Sequence, residues 1–355
     1  MVRSVFDCAR NRMRFVFREF ERIVVSYSGG KDSTCLFWLA LWEAERTNRK
    51  IEVFFLDQEA EYAETIRMVE SVMSHPLVIP RWYQVPIRMT NATSHRELYL
   101  HAWDPATPDM WVHPKHKLAT QAIEGEYPDR FYDFFEWFET QDKVPTAHLV
   151  GLRTFESMNR QRAMLKANGY QHYQWSTRCK GAPNSFRFYP IWDFQGSDVW
   201  KMIADNNLEY NHIYDQMIAR SGVNLRTMRV SNLIHEQAFR SLAALQEFEP
   251  DTYERMVRRL GGVHCAAHYS HERYVYDASE LPPGHATWRA YRDHLLATTD
   301  TSVIDRFRKR FASQPDDEAV YQHQVKQLLL NDWEGSLPRT KKTEKDLRKV
   351  WWDRL

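Results

Sequence analysis

The stretch from Val24 to Thr34, "VVSYSGGKDST", decides how the rest of the chain is read. A β-branched run ends in Ser-Gly-Gly-Lys-Asp-Ser, and an apolar segment, "CLFWLALW", follows at once. The first part predicts a buried strand and the second a helix over Asp32 to Thr47, with its N-terminus on the glycine turn. Gly29 and Gly30 let the backbone bend sharply and leave N–H groups exposed. The helix start adds unanswered donors and the positive end of its dipole. Lys31 supplies a mobile cation, and Ser28 and Ser33 supply hydroxyls. Two readings stand open here: a tight turn with Asp32 as helix cap, or a backbone cradle for a pyrophosphate. Asp32 is the odd member of the second, because a carboxylate repels phosphate unless a divalent cation stands between them. The spacing does not fit the Walker loop GxxxxGK[ST].

Outward from the turn, "RIVVSYS" is a strand and "IEVFFLD" (51–57) another, followed by the helical "AEYAETIRMVESVMSH". Further strands are predicted in "PRWYQVPI" (80–87), "PTAHLVGLR" (145–153) and "FRFYPIW" (186–192). Strands separated by helical patterns predict an α/β fold, a mostly parallel twisted sheet with helices on both faces. Residues 5–20 alternate apolar and basic at helical spacing and predict an amphipathic helix. The expected layout is a sheet-bearing domain over 1–205, broken at 88–140 by a long irregular insertion rich in Trp, His and Pro ("HAWDPATPDMWVHPKHK"). A mainly helical, Arg-rich region follows over 206–300, then a helical basic extension over 301–355.

Composition narrows the class. The 355 residues carry a formal net charge of +1, so bulk electrostatics do not mark a nucleic-acid protein. Arg220, Arg226, Arg229, Arg240, Arg255, Arg258 and Arg259 concentrate charge in the helical half. Glu236, Glu247, Glu249, Asp251 and Glu254 nearly balance them, which favours an ion-paired helical surface over a nucleic-acid groove. No apolar run is long enough to span a bilayer, and "MVRSVFDCARNRMRFVFREF" is too charged for a secretory signal, so a cytoplasmic protein without a membrane partner is expected. Cys8, Cys35, Cys179 and Cys265 are scattered without a CxxC pair, which argues against a disulfide framework and an iron–sulfur cluster. His264, Cys265, His268 and His271 have a spacing that could ligate zinc. No carboxylate or second cysteine completes the set, so incidental histidines on a helix face are favoured and zinc is not expected.

The turn resembles the SGGxDS loop of the N-type ATP pyrophosphatases. "FFLDQEAEYAET" is similar to that family's second-strand signature, and "GLRTFESMNR" (151–160) resembles the G-x-R-x-x-E-S-x-x-R segment of phosphoadenosine phosphosulfate (PAPS) reductases. "YPIWDFQGSDVWKMI" (189–203) resembles their P-I-x-x-W/F segment. "NLEYNHIYDQMIARSGVNLRTMRVSN" and "EPDTYERMVRRLGGVHCAAHYS" look like the IbrA-type (immunoglobulin-binding regulator A) branch of the PAPS reductase-like proteins, as does "WDPATPDMWV". The resemblance implies an adenine nucleotide alpha hydrolase-like (PP-loop) fold, ATP and Mg²⁺ as cofactors, and cleavage between the α and β phosphates. It implies that Ser28, Gly29, Gly30, Lys31, Asp32 and Ser33 hold the nucleotide with Asp57, Gly151, Arg153 and Glu156. Lys31, Asp32, Arg153 and Arg160 become the catalytic set, and Asp32 and Asp57 lie near the metal. A surface ion-pair network is the competing reading of Arg153, Glu156 and Arg160.

The chain departs from the reductases in one respect. Their Glu-Cys-Gly-Leu-His signature has no counterpart, and Cys265 sits in "GGVHCAAHYS" without the flanking acid and glycine. The expected function is therefore ATP-dependent adenylation of an acceptor with release of pyrophosphate. The acceptor is a small molecule or a nucleic acid, and the branch implies a ParB-like partner protein and phage-related or regulatory work. Sulfonucleotide reduction and a non-catalytic co-regulator are the alternatives. Trp111, His113 and Lys115, with Trp103, suit an acceptor wall by stacking and charge; equally, the tryptophans could anchor the insertion.

Overall fold

The computed structural model describes residues 4–156, 164, 169–222, 228–230, 232–235, 241–270, 272, 276 and 278–337. Arg160, Arg226, Glu236, Arg240, His271 and the last eighteen residues fall outside them. The first helix, α1 (Val5–Glu19), starts on a capping box in which Ser4 accepts from the Asp7 amide and Asp7 answers the Ser4 amide. Its apolar stripe buries Ala9, Met13, Val16 and Phe17.

The glycine turn does separate a strand from a helix. β1 (Arg22–Ser26), α2 (Lys31–Thr47), β2 (Ile51–Leu56), α3 (Ala63–Met73) and β3 (Val78–Tyr83) form two successive βαβ crossovers. β1 pairs parallel with β2, Val25 opposite Val53, and β2 with β3, Phe54 opposite Arg81. A two-stranded ribbon, β4 (Ile87–Thr90) and β5 (Tyr99–Ala102), and a helix, α4 (Phe131–Thr140), precede β6 (Thr146–Leu149). β6 returns to the free side of β1, with Val25 opposite Leu149. β7 (Ser176–Arg178) and β8 (Phe186–Phe188) complete a six-stranded sheet of order β3-β2-β1-β6-β8-β7, in which β8 is parallel to β6 and the edge strand β7 antiparallel. α5 (Gly196–Asp205) and α6 (Ile213–Ser221) follow.

Strand alternation sorts the two faces. Ile23, Val25, Val53 and Phe55 join α1, α2 and α5 in one apolar cluster. Phe54 points the other way and meets Phe134, Phe135 and Phe138 of α4, so both faces carry helices. The 88–140 insertion is therefore not irregular throughout. Phe131, Phe134, Phe135 and Phe138 have helical spacing, and that stripe covers the second face. The chain leaves β1 toward β2 on one side and returns as β6 on the other. The strand order therefore reverses between β1 and β6, and the carboxyl ends of strands at such a reversal are where open α/β sheets bind ligands.

The chain divides into two compact units, Met1–Met89 with His101–Asn232, and Thr90–Leu100 with Leu233–Leu355. The sheet-bearing unit runs past position 205 because Asn211 and Tyr214 hydrogen-bond to the glycine turn. The second unit is helical: α7 (Leu242–Phe248), α8 (Pro250–Arg259), α9 (Val263–Tyr269), α10 (Trp288–Thr298), α11 (Ile304–Ala312) and α12 (Glu318–Leu329). Phe307, Phe311, Leu328 and Trp333 form one of its cores, with Leu98 and Tyr99 packed against them. The 90–100 excursion is tied into this unit, since the Ala92 amide donates to the Ile234 carbonyl at 2.9 Å and Asn331 Nδ2 to the Asn91 and Ser94 carbonyls at 3.1 Å. Among the described residues no helix is long and apolar enough to cross a membrane.

Candidate active site

Gly29 takes φ +67°, and a Cβ there would stand 2.7 Å from Thr65 Cγ2. Both facts require glycine. The turn is braced from several sides. Asn211 Nδ2 donates to the Gly29 carbonyl at 3.2 Å and to Thr65 Oγ1 at 2.9 Å. Ser33 Oγ accepts from the Ser28 amide at 3.2 Å and donates to the Gly30 carbonyl at 2.9 Å. The Lys31 amide donates to the Tyr214 hydroxyl at 3.1 Å, a phenol that burial keeps protonated. Among the described residues, no acceptor answers the amides of Gly29, Gly30, Asp32 and Ser33. They surround the start of α2, where dipole and donors together favour an anion.

Lys31 is buried beside them, its Nζ 3.3 Å from the Met228 carbonyl and 3.4 Å from Asp32 Oδ2. Burial lowers its pKa, and Asp32 only partly opposes the shift. Arg153 forks onto Asp32, Nε at 2.7 Å from Oδ1 and Nη2 at 3.3 Å from Oδ2. The loop after β6 comes this close because residue 151 is glycine. A Cβ there would press within 3.2 Å of the Asp32 carbonyl carbon and the Ser33 nitrogen. The structure thus brings Ser28, Gly29, Gly30, Lys31, Asp32, Ser33, Gly151 and Arg153 together. Glu156 ends the short turn Thr154–Glu156, with only its backbone described, and Arg160 lies outside the described residues.

Asp57 has a different setting. It is fully buried at the end of β2, and Oδ1 accepts from the Glu59 amide at 3.0 Å with His113 Nε2 at 3.3 Å. Oδ2 accepts from Trp82 Nε1 at 3.1 Å and Gln84 Nε2 at 2.9 Å. Two donors thus hold Oδ2 and one backbone amide holds Oδ1, so Asp57 fastens the chain after β2 to β3 and the insertion. Asp57 keeps an oxygen with one hydrogen bond among the described residues, and Asp32 is held by Arg153 and Lys31. Burial opposes charge on His113, yet the Asp57 carboxylate outweighs it and raises its pKa. Burial and Asp57 together lift Glu61 well above the usual carboxylate range.

Glu59 and Trp103 both adopt positive φ, +65° and +59°, and the Trp103 amide donates to Glu59 Oε2 at 2.7 Å. The Trp103 indole donates to the Asp57 carbonyl at 2.8 Å. Trp103 is thus an anchor of the insertion. Trp111 packs edge-on against it at 5.5 Å, and Lys115 Nζ stands 5.0 Å from the Trp111 ring centre. Sequence reasoning missed Asn211, Tyr214 and Met228, whose segment read as part of a separate helical region. On α9, His264 and His268 stack with ring centres 6.4 Å apart, and His264 Nδ1 pairs with the Tyr253 hydroxyl at 3.0 Å.

Comparison with known proteins places this architecture. The uncharacterized protein YbdN of Escherichia coli strain K12 is 29% identical over 324 residues, 87% of this chain and 79% of that protein. Two uncharacterized proteins of Methanocaldococcus jannaschii are 26% and 24% identical over 220 and 240 residues. These alignments take in 60% and 65% of this chain but 38% and 49% of those proteins. A PAPS reductase of Candida auris in a phosphate complex overlaps 59% of this chain and 84% of its own at 12% identity and a TM-score of 0.31. An FMN adenylyltransferase of Candida glabrata, with FMN and an ATP analogue, overlaps 60% and 63% at 13% identity and a TM-score of 0.37. Superpositions this loose carry nothing further. Residues 222–317 match a domain of unknown function, DUF3440. Residues 22–268 match the phosphoadenosine phosphosulfate reductase domain, and the chain belongs to that family.

Proposed function

We propose that this chain binds ATP with its β and γ phosphates in the glycine turn and transfers the adenylyl group to an acceptor, releasing pyrophosphate. The observation that carries this reading is the set of unanswered amides at Gly29, Gly30, Asp32 and Ser33 around the buried Lys31. Preorganised donors of this kind stabilise charge that develops on a leaving group without reorganising during the reaction. A nucleophilic oxygen of the acceptor attacks the α phosphorus in line. The bond from that phosphorus to the bridging oxygen breaks, and its electron pair leaves with pyrophosphate. The new charge falls where the turn's amides and the Lys31 ammonium point. Arg153, a planar fork now parked on Asp32, is the group suited to the α phosphate.

The acceptor approaches past the insertion, where Trp111, His113 and Lys115 offer aromatic faces and charge. A small molecule or a nucleic acid fits that chemistry. Placement in the IbrA-like branch, with a ParB-like partner, rests on the sequence resemblance of residues 103–112, 207–232 and 249–270. A reductase reading would need a reactive thiolate, and burial pushes the Cys35 and Cys179 thiols well above their ordinary range.

The test uses ATP labelled in its α and γ phosphates with candidate acceptors. Pyrophosphate and an adenylyl or AMP product are expected, and sustained ADP and phosphate would refute the reading. Lys31→Ala should lower turnover about hundredfold or more while the protein stays folded, because it removes charge at the transition state.

A further inference from the structure

The sheet face that α4 covers carries charge as well as hydrocarbon. Arg22 of β1 forks onto Glu52 at 2.7 and 2.9 Å and also contacts Asp142. Arg187 of β8 grips Glu139 at 2.5 and 2.7 Å. Among these pairs stands His148 of β6, wholly buried. Its Nε2 lies 2.8 Å from Asp142 Oδ2, whereas Nδ1 has no hydrogen-bond partner among the described residues. A ring nitrogen of His148, an oxygen of Glu139 and the Cys179 sulfur lie within 4.8 Å of one another, and all three residues are buried.

An unmatched nitrogen in a packed interior is costly, about 1–3 kcal/mol for a neutral group. Asp142 explains which nitrogen is left. The 2.8 Å contact with the Asp142 carboxyl places the imidazole proton on Nε2, which leaves Nδ1 as a lone pair. A carboxylate behind an imidazole is the arrangement that orients metal-binding histidines. Arg187 occupies one lone pair on each Glu139 oxygen and leaves the others available. Nitrogen, sulfur and carboxylate oxygen together form a donor set suited to zinc.

We propose that Glu139, His148 and Cys179 form a zinc site that joins the end of α4, strand β6 and the chain just after β7. Binding replaces the Cys179 proton with the metal: the S–H bond breaks, a sulfur–zinc bond forms, and one proton goes to solvent. A water completes four-coordination. The role is structural. The site holds the antiparallel edge of the sheet to the helix over its second face.

The chelator-treated full chain, titrated with Co²⁺ as a spectroscopic substitute, tests this. One equivalent should bind with a thiolate-to-cobalt charge-transfer band, Zn²⁺ should displace it, and Zn²⁺ should raise the melting temperature. Cys179→Ser should abolish the band and Cys265→Ser should keep it. Absence of the band in the parent, its survival in Cys179→Ser, or its loss in Cys265→Ser would overturn the proposal. Should Cys179→Ser fail to fold, zinc-edge X-ray absorption on the loaded parent decides instead. One sulfur among nitrogen and oxygen ligands supports the site, and a sulfur-free shell refutes it.

Discussion

At Gly29, two separate obstacles face any side chain. The backbone is left-handed, and a Cβ would collide with Thr65 Cγ2. Gly29→Ala should therefore cost about 1–3 kcal/mol of stability, combining a φ penalty with a steric one. Adding Thr65→Ser removes the clashing methyl but keeps the hydroxyl that Asn211 uses. The double variant should recover the steric share and keep the φ share, as read by denaturant midpoints. Full recovery, or none, would show that one obstacle accounts for the whole cost. A second residue-scale expectation concerns Glu61, whose pKa is raised in the fold. The folded protein holds a proton that the unfolded chain has released, so the stability from this group is full below the unfolded value of about 4.5. It is lost as pH rises through the folded value. Glu61→Gln keeps the shape and removes the titration. Its melting temperature relative to the parent should climb as pH rises from about 4.5 toward neutrality. A pH-independent difference would mean that Glu61 is ionised inside the fold.

Elements whose sequence pattern is local were legible. The run before Ser28 and the periodicity after Asp32 were enough to set β1, the turn and α2, and "GLR" led to the loop that brings Arg153 to Asp32. What escaped was set by distant partners. β7 has three residues and exists because Ser176 and Arg178 pair with Phe188 and Phe186. α4 was hidden by the Trp- and Pro-rich stretch before it, although its phenylalanines have helical spacing. Glu139, His148 and Cys179 lie on three elements with no motif spacing, so no scan for clustered ligands finds them. Asn211 and Tyr214 reach the turn from a segment that reads only as helix. Within the insertion, Trp103 and Lys115 should separate under mutation. Trp103→Ala removes a wholly buried side chain that hydrogen-bonds the Asp57 carbonyl, and should cost about 3–5 kcal/mol. Lys115→Ala, at a partly exposed position, should stay within about 0.5 kcal/mol of the parent while lowering acceptor-dependent turnover. Equal destabilisation by both would remove the acceptor-wall reading.

For the molecule as a whole, the division into units is not a division of the chain into two halves. Residues 90–100 belong with the helices that come after 232. A chain ending at Asn232 would leave Leu98 and Tyr99 without the core they pack on, and the Ala92 amide without its acceptor. That truncation should express poorly or aggregate. Replacing residues 90–100 in it with a short Gly/Asn turn should restore a soluble sheet-bearing unit, as followed by circular dichroism and gel filtration. A soluble plain truncation would show that the excursion can stand alone.

The unanswered amides at the start of α2 also bear on the choice of buffer. Backbone N–H groups distinguish poorly among small tetrahedral oxyanions, so inorganic phosphate and sulfate should lodge in the same notch. Assays in those salts would then understate nucleotide affinity by simple competition, and apparent inactivity in a phosphate medium would say little about the proposed activity. Chloride at matched ionic strength is the informative comparison. A crystallisation screen rich in sulfate is, by the same token, a direct way to see whether an oxyanion lodges at the turn.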